Sequence, residues 1–234
     1  MSVARNHRES ADKEIVDFLS GADNYTIIIF DTETNGLPPP RSPVCPSTLS
    51  ISAIKAVIRS KEELEPVAIY NRYYYPREDY DQGAIGINGL TEHVIDGKRA
   101  ESIKQYQVYF DQDYEDFQEF CSGVKLFVGH NAQDFDTQFV PCIDWKTVKI
   151  FDTMHANTDV VCARWESRGH YDHGIWSDKP GWKAPRLIEA AEFYKIKFED
   201  TELHGSLYDA TITSKVFMEM LKRSPVRLKR FEES

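Results

Sequence analysis

The run TIIIFDTET, residues 26–34, constrains this chain more than any other stretch. Ile27, Ile28, Ile29 and Phe30 make a short apolar run rich in β-branched residues, which predicts a buried strand over residues 25–31. That strand runs straight into Asp31, and Glu33 follows two positions later. Residues i and i+2 of a strand project from one face, so the two carboxylates point together. Like charges so placed are useful where a cation lies between them, or where one of them takes up a proton. Hard carboxylate oxygens suit Mg²⁺ or Mn²⁺. Two exposed acids at a strand end are the plainer reading, and the motif alone does not decide between them.

The rest of the chain builds a frame around this strand. Residues 9–21 carry Ile15, Val16, Phe18 and Leu19 at helical spacing and predict an amphipathic helix. The proline-rich stretch LPPPRSPVCPS excludes helix and central strand. TLSISAIKAVIRS and PVAIYNRYYYP alternate as two strands, and the polar segment KEELEP between them predicts a hairpin. AIGINGLTEHVIDG reads as a loop with helical pieces, and YEDFQEFCSG as a helix stopped at Gly123. KLFVGHN is a short buried strand, DTQFVPCIDW begins as a helix cut near Pro141, and VKIFDTMHAN is a strand entering a helix. KAPRLIEAAEFYKI and YDATITSKVFMEMLKR are the clearest helices. Strands first, then strands alternating with helices, predict an α/β domain with a mixed sheet flanked by helices.

At 234 residues this is one domain with elaborations: a helical extension over 1–22, the main domain over 23–223 and a basic tail over 224–234. Hydrophobic residues at 41% are enough for a core. No apolar run reaches the roughly 18 residues a membrane span needs, and the polar first residues carry no signal-peptide core. The four cysteines are scattered, which reads as reduced thiols in a cytoplasmic setting. A net charge of −10 argues against a general electrostatic grip on nucleic acid. It leaves room for an acidic site whose bound cations meet phosphate themselves.

Two further stretches carry candidate carboxylates. In FVGHNAQDFDTQF a buried strand ends at His130 and Asn131, and both Asp134 and Asp136 sit where the next helix starts. An Asp there commonly caps the helix. Phe135 and Phe139, four apart, would anchor that helix and leave Asp136 able to look away from the core. In LHGSLYDATITSKVF, His204 and Asp209 are five apart. If the helix begins after His204, the histidine lies on a loop just above Asp209; a histidine before a helix is also commonly a cap or surface residue.

FDTETNGL, HNAQDFD and HGSLYDA, in that order, resemble the three exonuclease motifs of the DnaQ-like 3′–5′ exonucleases, in the subgroup named DEDDh for its acids and histidine. The resemblance covers roughly residues 24–222 and extends to AIGINGLTEHVI, with Asn88 where the family often has His, to FDTMHAN and to KAPRLIEAAEFYKI. It implies a ribonuclease H-like three-layer fold and makes Asp31, Glu33, Asp136 and Asp209 the metal-holding acids, with His204 as general base. Asp134 is then a decoy, because the family's acid follows the aromatic residue, here Phe135. Ser206 departs from the family, which commonly has Ala there.

The resemblance further implies two divalent cations, Mg²⁺ or Mn²⁺, bridged by Asp31, with Glu33 and Asp209 completing the tighter site and Asp136 acting through the outer shell. The implied substrate is nucleic acid with a free 3′ end, DNA favoured over RNA. Gly36 would let the backbone approach the terminal nucleotide and Leu37 would wedge against the last base, with Thr34 and Asn35 donating to its sugar. Asn88 and Asn131 would line the same pocket; NGLP is also simply a good turn.

Three other features bear on function. Lys222, Arg223, Arg227, Lys229 and Arg230 either track a nucleic-acid backbone or form a solvated helix end. His155, Cys162, His170 and His173 offer zinc-type ligands at a spacing that fits no standard finger. Trp165, Trp176 and Trp182 either stack a base or pack an insert down. A ribonuclease of the same family is the alternative enzyme. A non-catalytic binding module is the alternative class, and it predicts a missing acid or histidine, whereas all five positions are filled.

Overall fold

The structure, a computed structural model, describes residues 2–22, 24–37, 45–163, 183–199 and 203–228, with side chains from residue 9 onward. The aromatic insert with His170 and His173, and the tail residues Lys229 and Arg230, lie outside the described residues. Five strands form one sheet in the order β3-β2-β1-β4-β5. They are β1 (Thr26–Thr34), β2 (Thr48–Ile58), β3 (Leu64–Tyr73), β4 (Leu126–Gly129) and β5 (Lys149–Asp152). β1–β2 and β2–β3 are antiparallel, while β1–β4 and β4–β5 are parallel, so the sheet is mixed as expected.

β1 runs on to Thr34, past the boundary expected from its apolar residues, because β2 pairs with it all the way to Thr34↔Thr48. β3 starts at Leu64 and takes Pro66 inside it. A proline is tolerated there because β3 is the sheet's edge strand and the β2–β3 ladder is irregular at Lys55/Ala56.

Each sheet face is covered. Ile27 and Ile29 of β1, Ile54 and Ala56 of β2, and Val128 of β4 pack beneath α1 (Ser2–Leu19), α6 (Thr153–Val161), α7 (Leu187–Phe193) and α8 (Ser206–Arg223). Ile28, Phe30, Ile51, Ala53 and Phe127 face the other way, toward α4 (Tyr114–Cys121) and Trp145. The result is a three-layer α/β fold. Odd-numbered β1 residues therefore look toward α8, and Asp31 and Glu33 continue that row past the apolar core. α1 belongs to the same layer: Phe18 packs against Phe151 and Phe217, and Lys149 Nζ donates to the carbonyls of Asp17 and Ser20 at the helix's C-terminal end. Among the described residues no helix is long and apolar enough to cross a membrane.

β4 ends at Gly129 in tight quarters. A Cβ added there would lie 2.3 Å from Ala132 Cβ, and Ala132 is itself fully buried. Gly129→Ala should therefore push the following loop off the sheet and lower stability by about 1–3 kcal/mol. Denaturant melts of the two proteins compare this directly, and coincident midpoints would contradict it.

Candidate active site

The parallel strands stop early, and this opens the site. β4 pairs with β1 only over Ile27–Ile29, so beyond Ile29 one side of β1 has no strand neighbour among the described residues. Ligand sites in α/β sheets favour this carboxyl end of parallel strands. Asp136, the first residue of α5 (Asp136–Phe139), fills the gap: its Oδ1 accepts the Thr32 backbone N–H at 2.8 Å and the Thr32 hydroxyl at 2.6 Å. Asp136 is buried, which corrects the expectation that it looks away from the core. Phe135 and Phe139 do meet, with rings 4.8 Å apart, but the turn they anchor aims Asp136 inward at β1. Asp134 lies on the surface beside His155, 3.0 Å from its Nε2.

α8 supplies the third side. It begins at Ser206, after a loop in which His204 holds a left-handed φ of 64°. The His204 backbone N–H donates to Asp209 Oδ2 at 3.2 Å, folding the loop back over the first turn. Ligand atoms of Glu33, His204 and Asp209 all lie within 4.8 Å of one another. Asp31 stands in the field of Asp136, Glu33 and Asp209, and burial together with those three charges raises its pKa well above the ordinary value. Burial, then Asp209 and Asp136, push Glu33 up to about 9, with the Asn88 side chain offsetting part of the rise. Burial raises Asp136 to about 7 against the Thr32 hydrogen bonds, and Asp209 to about 6 against His204.

Four carboxyls that resist ionisation together are a site short of positive charge. Asp209 Oδ1 is buried and has no hydrogen-bond partner among the described residues, the position a cation would satisfy. Oxygen donors with one imidazole fit a hard divalent ion.

These shifts set a pH dependence. In the unfolded chain carboxyls release protons near pH 4, whereas Asp209, Asp136 and Glu33 hold theirs to about 6, 7 and 9 in the folded protein. Below that range both states are protonated and the cluster costs nothing. As pH rises through it, the folded state must ionise against burial and repulsion, so the metal-free protein should lose stability toward alkaline pH. A divalent cation replaces those protons. The rise in melting temperature on adding Mn²⁺ should be larger at about pH 8.5 than at about pH 5.5, and a pH-independent rise would contradict this.

The loop after β1 is built from the residues expected to meet substrate. The Thr34 hydroxyl donates to the Gly36 carbonyl, and the Thr34 carbonyl accepts from Asn88 Nδ2 at 3.0 Å. The Asn35 amide donates to Glu78 and to the Asp79 carbonyl, and its oxygen accepts the Asp81 N–H. These side-chain donors are thus spent inside the protein. Gly36 sits at φ 137°, a conformation that favours glycine, and Leu37 is 68% exposed at the rim. Asn88 borders a cavity of about 490 Å³ together with Glu33, Leu90, His204 and Tyr208. Asn131 is not among the residues lining that cavity; its backbone N–H donates to Asp152 Oδ1.

Asp152 is the main residue the sequence reading passed over. Buried at the end of β5, it accepts the N–H groups of Asn131, Gln133 and Met154 at 2.9–3.0 Å, so it caps α6 and ties down the loop leading to Asp136. The signal was present, since an Asp directly before a helix is a preferred cap. Among the zinc-type candidates, His155 faces Asp134 and the Cys162 thiol donates to the Asp159 carbonyl. At the basic end of α8, Lys222 pairs with Glu219 and Glu62, and Arg223 stacks on Tyr194.

The exonuclease family model RNase_T matches residues 28–217, a span that contains every one of these acids and the histidine. The chain belongs to the DnaQ-like 3′–5′ exonucleases. It is 26% identical over 197 residues to the DNA polymerase III subunit epsilon of Rickettsia felis, covering 82% of this chain and 72% of that protein. Among solved structures it resembles Exonuclease X in complex with 5′-overhanging duplex DNA, with TM-score 0.55 and 19% identity over 87% of this chain and 95% of the other. It also resembles a 3′-exonuclease recognising the histone mRNA stem-loop, with TM-score 0.54 and 12% identity over 86% of this chain and 65% of that one. As an exonuclease of this family the protein is a phosphodiester hydrolase, and the family depends on divalent metal.

Proposed function

We propose that this exonuclease removes nucleotides from the 3′ ends of DNA, using two divalent cations, Mg²⁺ or Mn²⁺, and His204 as general base. The observation that carries the reading is the gathering of Glu33, His204 and Asp209 within 4.8 Å, beside Asp31 on the same strand face. Asp31, Glu33 and Asp209 would hold the cations, whose positive charge stabilises the attacking and leaving oxygens when they are bound. Asp136, with one oxygen committed to Thr32, is suited to act from the outer shell and to keep β1 in place.

His204 takes the proton of the attacking water on a ring nitrogen, the role of a general base. Water attacks the terminal phosphorus, the bond from phosphorus to the 3′ oxygen of the penultimate nucleotide breaks, and that oxygen takes a proton from solvent. The product is a nucleoside 5′-monophosphate. Exposed Leu37 would wedge at the last base, with Thr34, Asn35 and Asn88 shaping the loop that carries it.

DNA is favoured by the polymerase-subunit relative and by the DNA bound in the Exonuclease X structure; the histone-mRNA 3′-exonuclease keeps RNA as the second reading. The test is digestion of end-labelled single- and double-stranded DNA and RNA with Mg²⁺, Mn²⁺ or EDTA. Mononucleotides released from 3′ ends, only with metal and faster from DNA, are expected. Release from 5′ ends or undiminished activity in EDTA would refute the mechanism, and faster trimming of RNA would reassign the substrate.

A further inference from the structure

A set of buried hydroxyls lies against the carboxylates and has no part in the chemistry described so far. Ser52 and Ser50 stand directly across the β1–β2 ladder from Asp31 and Glu33, so each serine shares a sheet face with one acid. Asn71 of β3 is in register with Ser52 and extends that row. α8 crosses this face and sets Ser206, its first residue, between the two serines. Ser206 Oγ is 2.9 Å from Ser50 Oγ and 2.7 Å from Ser52 Oγ. All three serines are 0% exposed, so their hydrogen bonds must be satisfied without bulk water.

Counting hydrogens gives the chain a direction. Each hydroxyl has one to donate. Ser52 gives its hydrogen to Asn71 Oδ1 at 2.9 Å. The Ser206–Ser52 bond therefore uses the hydrogen of Ser206, and the Ser50–Ser206 bond that of Ser50. The links run from Ser50 to Ser206 to Ser52 to Asn71, each polarising the next.

Ser206 lies two residues after His204 and three before Asp209, and Gly205 has no side chain to cap the helix. Elsewhere α8 meets the sheet through apolar residues such as Ile212 and Phe217, whose burial is non-directional and resists small slides poorly. The serine links are short and directional. We propose that Ser206, gripped between Ser50 and Ser52, is a positioning residue that sets His204 and Asp209 against Asp31 and Glu33. The proposal rests on the exonuclease reading of that site. It also gives a role to the hydroxyl at a position where the family commonly has Ala, since two serines face it here.

The test compares wild type, Ser206→Ala and the triple variant S50A/S52A/S206A by Mn²⁺ calorimetry, thermal melting and trimming of a 3′-labelled single-stranded DNA. Ser206→Ala should lower kcat about tenfold to a hundredfold with KM little changed, weaken Mn²⁺ binding several-fold and lower the melting temperature, because it strands the Ser50 hydroxyl. The triple variant removes the stranded group and leaves only exposed Asn71 to be met by water. Its melting temperature should recover while kcat and Mn²⁺ affinity stay low. That split is what a purely structural role cannot produce. Wild-type kcat and Mn²⁺ affinity in Ser206→Ala, or a triple variant whose kcat returns with its melting temperature, would overturn the proposal. Absence of 3′ trimming by the wild type would strike the exonuclease reading instead, and the Mn²⁺ affinities would still decide the positioning claim.

Discussion

Asp31→Asn is expected to cut kcat/KM for 3′-end trimming by about 10³-fold or more while leaving the metal-free protein more stable than wild type near pH 8. Both effects have one cause. Asp31 stands in the field of three other carboxyls, and its ionisation is opposed by burial and by each of them. An amide of the same shape removes that repulsion, and with it the charge that draws cations to the centre of the cluster. Strain of this kind is kept at functional sites and is relieved when function is removed. The measurement pairs trimming kinetics with melts in EDTA at alkaline pH. Activity within tenfold of wild type would remove Asp31 from the centre of the site; lost activity with lowered metal-free stability would show that the residue is structural.

His204→Asn should lower kcat by about 10²–10⁴-fold with KM and Mn²⁺ affinity changed far less. Asn is preferred over Ala because the residue holds φ 64°, a region Asn tolerates better than other L-residues. The hydrogen bond to Asp209 comes from the backbone N–H, so it survives the substitution and the acid stays in place. A variant that keeps the wild-type kcat would show that the base lies elsewhere; one that loses Mn²⁺ binding in proportion to kcat would make His204 a ligand.

Much of this arrangement was readable because it follows short-range rules. Period two puts Asp31 and Glu33 on the face of Ile27 and Ile29, and α8 covers that face, so a carboxylate in its first turn meets them. The hairpin of β2 and β3, the helix opening just after His204 and the mixed sheet likewise follow from alternation and turn chemistry. What local pattern could not supply was where strands stop pairing. The inward turn of Asp136 depends on β4 leaving β1 after Ile29, a fact of register between segments about a hundred residues apart. The same holds for Ser50, Ser52 and Ser206, which look in sequence like ordinary strand and cap residues and acquire their partners only when α8 lies across the sheet. Pro66 misplaced the start of β3 because its tolerance depends on that strand being at the edge.

The bond from Thr32 to Asp136 has one further consequence. The amide it uses lies between the two acids of β1, on the side where β4, had its pairing continued past Ile29, would have supplied an acceptor. The carboxylate proposed to act from the outer shell thus completes the backbone ladder, and one oxygen atom serves the sheet as well as the site. Thr32 sits in the chain between Asp31 and Glu33, so whatever fixes that oxygen also fixes the stretch of β1 that carries both acids.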